Sequence, residues 1–174
     1  TIAAVAQGRA SAGSIRIRIA TVTHPYSTLT PDLVVESIEA VGYVPDGRVL
    51  ALNSYENRVY QVGRDDGPPV VVKFYRPARW TTPQILEEHE FALELERAEI
   101  PVVAPEVHDG RTLFELGGFR YAVYRRQGGH WPELGTADER KWMGRFLGRI
   151  HAIGRVRPFR HRARLDWQVM GTAT

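Results

Sequence analysis

Val70-Val71-Val72-Lys73-Phe74-Tyr75, followed after a short link by Thr81-Thr82-Pro83-Gln84-Ile85-Leu86-Glu87-Glu88, is the stretch whose reading decides the fold. The first six residues are β-branched or aromatic apart from one lysine, the composition of a buried-type strand. Thr81 and Gln84 are spaced as a capping box, so a helix starts there and runs to about Glu99, where Pro101 stops it. A lysine inside such a strand either snorkels from a sheet edge to water or enters the sheet's concave face. Buried without a partner, its pKa would fall by up to ~3–5 units, so it would need an anion nearby. A compact ammonium with three rotatable donors suits phosphate oxygens, whereas a guanidinium fork is wider and planar. Of 23 basic residues only Lys73 and Lys141 are lysine, so the residue type at 73 stands out.

On a 100° wheel with Ile85 at the origin, Leu86, Phe91, Ala92 and Leu95 fall on the inward half and Glu87, Glu90 and Glu94 on the opposite side. Glu88 falls between Leu95 and Ala92, on the apolar stripe. A carboxylate there calls for a cation, and Lys73 lies one strand earlier. His89 and Glu96 intrude on the same face, so a solvated Glu88 at the stripe's edge stays open from the wheel alone.

Working outward, Thr30-Pro31 reads as N-cap and first-turn proline of a helix with Leu33, Val34, Ile38 and Val41 on one side, ending near Gly42. Strands at Val49–Leu52 and Arg58–Val62 flank the polar turn Asn53-Ser54-Tyr55-Glu56-Asn57. Further strands are expected at Val102–Val107, Thr112–Leu116 and Phe119–Arg125. Gln127-Gly128-Gly129 forms a joint. Beyond it Ala137–Gly154 is an amphipathic helix whose Trp142 and Phe146 are expected in a core. The fold class is therefore α+β. Residues 24–128 form a sheet of about five antiparallel strands with one inserted helix, and 129–174 hold a hinge and the first helix of a second lobe. Residues 1–23, with the alternation Ile15-Arg16-Ile17-Arg18-Ile19, are an edge strand or a loosely ordered extension.

Composition narrows the classes. None of the 174 residues is cysteine, which excludes a disulfide framework, a thiolate metal site and a cysteine nucleophile. No apolar run approaches the ~20 residues of a membrane span, and the amino end carries no signal-peptide pattern, so a cytoplasmic monomer off the membrane is expected. Nine Lys or Arg and no acid lie between Arg140 and Leu165, leaving 14 basic against 20 acidic residues elsewhere. Such a block is either a nucleic-acid footprint or one side of a larger protein whose acidic partner lies outside this chain. His24, His89, His108, His130, His151 and His161 show no i, i+4 pairing with Glu, and no G-x-S-x-G elbow occurs, so neither a zinc site nor a serine hydrolase is expected.

The order strand, polar loop, strand, strand with Lys, helix with inward Glu, strands, hinge is that of the amino-terminal lobe of a protein-kinase-like phosphotransferase. There the lysine holds the α/β-phosphates and the glutamate holds the lysine. The turn at 53–57 stands where a nucleotide-covering loop would, but has no glycine; Ser54 and Asn57 can still supply donors to a phosphate.

Leu52-Asn53-Ser54-Tyr55-Glu56-Asn57-Arg58-Val59-Tyr60-Gln61, Val72-Lys73-Phe74-Tyr75-Arg76-Pro77, Arg79-Trp80 and Gln84-Ile85-Leu86-Glu87-Glu88-His89 resemble the stress response kinase A family of bacterial serine/threonine protein kinases. Leu147-Gly148-Arg149-Ile150-His151 is similar to that family's helix leading into the carboxyl lobe. The likeness runs from about Tyr26 to Met170 and is densest between Leu52 and Ala92. It implies an aminoglycoside-phosphotransferase-like fold and ATP-dependent phosphorylation of a protein substrate, with Mg2+, in a stress response. By the same resemblance Ser54 touches ATP, Lys73 holds its phosphates, Glu88 is the ion-pair partner, and Arg125 and Gln127 lie near the adenine-contacting hinge.

One departure is large. The family's base and metal ligands come from a His-Gly-Asp-type loop with a following Asn and a second Asp, and none of this occurs here. After Glu139 the only acid is Asp166, in Leu165-Asp166-Trp167 with no such loop before it, so it reads as a bystander. The chain is expected to be a truncated kinase, inactive alone, with its metal ligands in an absent lobe. Two alternatives remain: part of a small-molecule phosphotransferase acting on an aminoglycoside, choline or sugar, or a nucleic-acid-binding module built on Arg145–Arg164. For the latter stretch a solvated helix face is the favoured reading.

Overall fold

A capped helix opens the fold: the Thr30 hydroxyl accepts the Leu33 N–H at 3.3 Å and Pro31 takes the first helical position, giving α1 (Pro31–Glu39). The computed structural model describes residues 24–129, 132–164 and 166. The extension at 1–23, with its Ile15–Ile19 alternation, lies outside the described residues, as do His130, Leu165 and Trp167. Five strands follow, β1 (Pro45–Leu52), β2 (Arg58–Arg64), β3 (Val70–Phe74), β4 (Phe114–Leu116) and β5 (Phe119–Arg125), in one antiparallel sheet of order β1-β2-β3-β5-β4. Helix α2 (Thr82–Arg97) is inserted between β3 and β4, and α3 (Ala137–Gly154) follows the sheet.

Because side chains alternate along a strand, β3 divides its residues between two layers. Val70, Val72 and Phe74 face α1 and join Val34, Ile38, Val62, Phe119, Tyr121 and Val123 in the main core. Tyr75 and Ala122 pack with Ile85 of α2 in a smaller second cluster. Lys73, one residue out of phase with Val72 and Phe74, is thereby delivered to the α2 side. The β4–β5 connection is a two-residue turn, Gly117-Gly118, with both φ values positive at 57° and 80°, the geometry that matches hairpin twist. A Cβ on Gly117 would also stand 2.8 Å from Leu33 of α1, so glycine is needed there twice over.

Three expectations need correction. Val102–Val107 is not a strand: only an isolated bridge joins Pro105 to Tyr124, since Pro101 and Pro105 remove the backbone donors a ladder requires. On α2, Leu86 is left exposed while His89 is 1% exposed, so the histidine and not the leucine continues the buried stripe. None of the residues of α3 is buried, and Trp142, expected in a core, is 56% exposed, its ring stacked on Phe146 along the helix surface. Among the described residues no helix is long and apolar enough to cross a membrane.

His89 is tolerated in the interior because both ring nitrogens are engaged. Nε2 lies 2.6 Å from the Tyr75 hydroxyl and Nδ1 2.8 Å from the Thr112 hydroxyl, and Tyr75 continues to Tyr124 at 3.2 Å. Burial pushes the imidazole pKa down to about 4; the Glu88 charge opposes that shift and Lys73 adds to it. The folded state thus resists protonation that the unfolded chain accepts at its ordinary value of 6.5. Stability present above pH 6.5 is therefore lost as pH falls from 6.5 to about 4, by up to ~3 kcal/mol, and no further below. Urea unfolding at a series of pH values should show this slope, and His89→Gln should flatten it while lowering stability at pH 7. Gly117→Val should lower the thermal midpoint at every pH by a similar amount, because its cost is steric; a pH-dependent loss would contradict that origin.

Candidate functional site

Lys73 stands opposite Val59 of β2 and Ala122 of β5. Its ammonium donates to Glu88 Oε1 at 3.1 Å and lies 4.6 Å from the centre of the Tyr75 ring. The two side chains are 22% and 36% exposed, so the pair sits at the boundary between protein and water. Glu88 presents its other oxygen to Arg162, whose Nη1 donates to Oε2 at 3.0 Å. Lys73 and Glu88 line a cleft of about 390 Å³ together with Val59 and Val71 of the sheet, Tyr124 and Gln127 at the end of β5. That volume is within the range of small-molecule sites, and the walls combine apolar surface with one placed cation.

The turn at 53–57 owes its shape to side chains and not to glycine. The Ser54 hydroxyl donates to the Asn57 carbonyl at 2.8 Å, and Asn57 Oδ1 accepts from the Arg76 N–H at 3.3 Å. Tyr26 donates to the Glu56 carbonyl at 2.9 Å, and the Glu56 carboxylate accepts from Trp80 Nε1 at 2.6 Å and Arg79 Nε at 3.3 Å. Since Arg58 pairs with Phe74, this turn lies beside the Lys73 end of β3. Ser54 and Asn57 are therefore near the lysine's end of the sheet but are not among the residues lining the cleft. Arg125 and Gln127 do line it. The Arg125 guanidinium is held elsewhere, 3.0 Å from Glu96 Oε1 and donating to the Val102 carbonyl at 3.2 Å.

Beneath the ion pair, the buried row Thr112, His89 and Tyr75, continued by the half-buried Tyr124, sets the rotation of α2, since His89 follows Glu88 directly. Burial raises the hydroxyl pKa of Tyr75, and that of Tyr124 to about 12, so both remain neutral hydrogen-bonding groups. Sequence reasoning treated His89 as an intruder; its place four residues after Ile85 was the available signal.

The outer side of α2 is also occupied, against the expectation that the Arg-rich stretch was a solvated face. Backbone N–H groups of Arg160, His161 and Arg162 donate to the Glu87 carboxylate at 2.5, 2.9 and 2.8 Å. Burial penalises that carboxylate, but these three donors outweigh it and hold its pKa below the usual range. Arg157 Nη2 lies 3.7 Å from Glu90 and 3.8 Å from Glu94. Part of the acidic complement of the basic block is thus inside the chain. Among the described residues no group of three or more His, Asp or Glu is placed to hold a metal ion.

The comparisons with known proteins bear on this geometry. Stress response kinase A of Escherichia coli (strain K12) is 47% identical over 137 residues, and serine/threonine protein kinase RdoA of Salmonella typhimurium 45% over the same length. Each alignment covers 79% of this chain and 42% of the relative, so the chain spans less than half the length of the proteins it matches. Among solved structures, amicoumacin kinase hAmiN, in complex with AMP-PNP, Ca2+ and Ami, superposes with a TM-score of 0.63 at 19% identity, covering 79% of this chain and 44% of that one. A microcompartment-associated aminopropanol kinase gives 0.55 at 20% identity, covering 78% and 46%. These structures show the same fold, that of a kinase amino-terminal lobe. Residues 48–172 match the phosphotransferase enzyme family, from β1 past α3, and the chain belongs to that family.

Proposed function

We propose that this chain is the nucleotide-holding part of an ATP-dependent serine/threonine protein kinase acting in a stress response. The observation that carries the reading is the 3.1 Å pair of Lys73 and Glu88 on the wall of a mostly apolar cleft. In this reading residues 24–128 are the nucleotide lobe, and 129–174 are the hinge and the start of the lobe that brings the acceptor. Val59 and Val71 offer apolar surface to an adenine ring, with Gln127 and the backbone from Arg125 at its edge. Lys73 donates to the phosphates, and Glu88 keeps the ammonium turned toward them. Ser54 and Asn57 hold the covering turn in shape and present its backbone to the phosphates. ATP supplies the transferable phosphoryl group; this chain's part is to orient the nucleotide and neutralise charge.

The divalent ion and the base would come from residues outside those present here. A protein acceptor is favoured over a small molecule because one of the sequence relatives, at 45% identity, is named a serine/threonine protein kinase, whereas the small-molecule kinases share only the fold. A cytoplasmic monomer off the membrane fits the same reading. A nucleic-acid role is disfavoured because Arg157 and Arg162 are engaged with glutamates of α2.

Calorimetry with ATP tests the site. Lys73→Met should weaken binding roughly 10-fold, the loss of one charge-assisted hydrogen bond at a partly exposed position, while adenosine affinity stays unchanged. Equal ATP affinity in the two proteins would refute the lysine's role. The 174-residue chain should transfer no labelled phosphate from ATP to itself or to a protein mixture, and turnover by it would disprove the assignment of base and metal ligands to other residues.

A further inference from the structure

Residues 155–164 run back along the outer side of α2 from its carboxyl end toward its amino end, and their contacts follow that order. Arg149, near the end of α3, donates to the Ala98 and Glu99 carbonyls at 3.3 and 3.0 Å. Next, Arg157 reaches Glu94 and Glu90, and the Phe159 ring meets the Phe91 ring edge-on at 5.2 Å between centroids. The three consecutive N–H donors on Glu87 follow, while the Gln84 amide donates back to the His161 carbonyl at 3.0 Å. This strap ends with Arg162, whose guanidinium lies 4.4 Å from the Trp80 ring and donates to Glu88 Oε2.

Exposed ion pairs contribute less than ~1 kcal/mol each, so stability is not what this arrangement chiefly provides. Its effect is geometric. Three converging N–H groups form a concave carboxylate seat that registers the first turns of α2 against the strap. A glutamate held by Lys73 alone could swing to water; held at both oxygens it has one position.

We propose that Arg162 is a positioning residue, which holds one oxygen of Glu88 so that the other stays on Lys73, and that the strap thereby couples the segment after the hinge to the geometry of the phosphate-holding pair. The proposal rests on the reading of Lys73 as the phosphate-holding cation, and its test separates the two.

The chain's only two lysines make the measurement direct, because Lys141, with a 67% exposed side chain, is an internal reference for Lys73. The 174-residue chain is pulsed with acetic anhydride and each lysine's acetylation rate is read by peptide mass spectrometry. Glu88→Gln sets the rate of a released Lys73. Arg162→Ala should raise Lys73 labelling about threefold toward that rate with Lys141 unchanged, in keeping with one weakened ion pair, and Arg162→Lys should restore most of the protection. Glu87→Gln, which loosens the strap without touching Glu88, should give an intermediate rate. An unchanged Lys73 rate in Arg162→Ala, or equal rises at both lysines, would overturn the positioning role. In parallel, Arg162→Ala should weaken ATP several-fold but not adenosine, and should add nothing in a Lys73→Met background; an undiminished effect in that background would also overturn it. If the unaltered chain binds no ATP, the nucleotide reading fails, and the labelling still decides Arg162.

Discussion

A strand whose other members are valines and a phenylalanine brings one ammonium to the inner side of α2, and the surrounding structure is arranged to receive it. Lys73 cannot be shed to an edge, because β3 lies between β2 and β5. Nor can it be left unpaired beside Val59, Val71 and Ala122 without a desolvation cost that one ion pair would not repay elsewhere. Glu88 at 3.1 Å, with the Tyr75 ring at 4.6 Å, gives the charge two favourable surroundings and leaves its open side toward the cleft. At 22% and 36% exposure, the pair adds little to stability. What it provides is a cation of fixed position bordering a cleft.

Three consecutive residues of α2 explain how that position is maintained. On a helix each step turns by 100°, so Glu87, Glu88 and His89 point in three directions. They meet three partners: the strap, the lysine and the buried hydroxyls under the sheet. His89 is the innermost, and because its neutral ring joins Thr112 to Tyr75, rotation of α2 would break two buried hydrogen bonds at once. Glu87 holds the opposite side against three backbone donors. With both sides constrained, the backbone at Glu88 is held facing Lys73. The capping box at Thr81 and Gln84 fixes where this count begins, which makes a local signal decisive for a tertiary contact.

That dependence explains what the sequence revealed. The capping box at Thr81, the strands flanking the turn and the β3 lysine are local features, and local chemistry sufficed to read them; the wheel put Glu88 on the apolar stripe but left its pairing with Lys73 open. A wheel ranks residues by polarity, so it placed Leu86 inside and Glu87 on the opposite side, while His89 counted as an intrusion. Their true partners, Thr112, Tyr75 and the N–H groups of 160–162, lie 14 to 75 positions away and leave no periodic trace. The 102–107 segment failed for a nearer reason: its apolar pattern suggested a strand, but the prolines permit only the bridge from Pro105 to Tyr124. Tyr26 and Trp80 were equally hidden, because it is the course of the chain that brings them both to Glu56.

The charge asymmetry follows from the same geometry. The acidic side of α2 and the basic stretch after α3 each look like solvated surface when counted alone, and the net balance of either half suggests an external partner. Placed side by side, Arg157 with Glu90 and Glu94, and Arg162 with Glu88, convert part of that imbalance into an internal seam. Because the seam joins α2 to residues that follow α3, any displacement of the later segment that carried Arg162 away would leave Glu88 with one partner instead of two. The ion pair at the cleft is therefore exposed to the position of chain that lies beyond the sheet, and α2 is the element through which that position is felt.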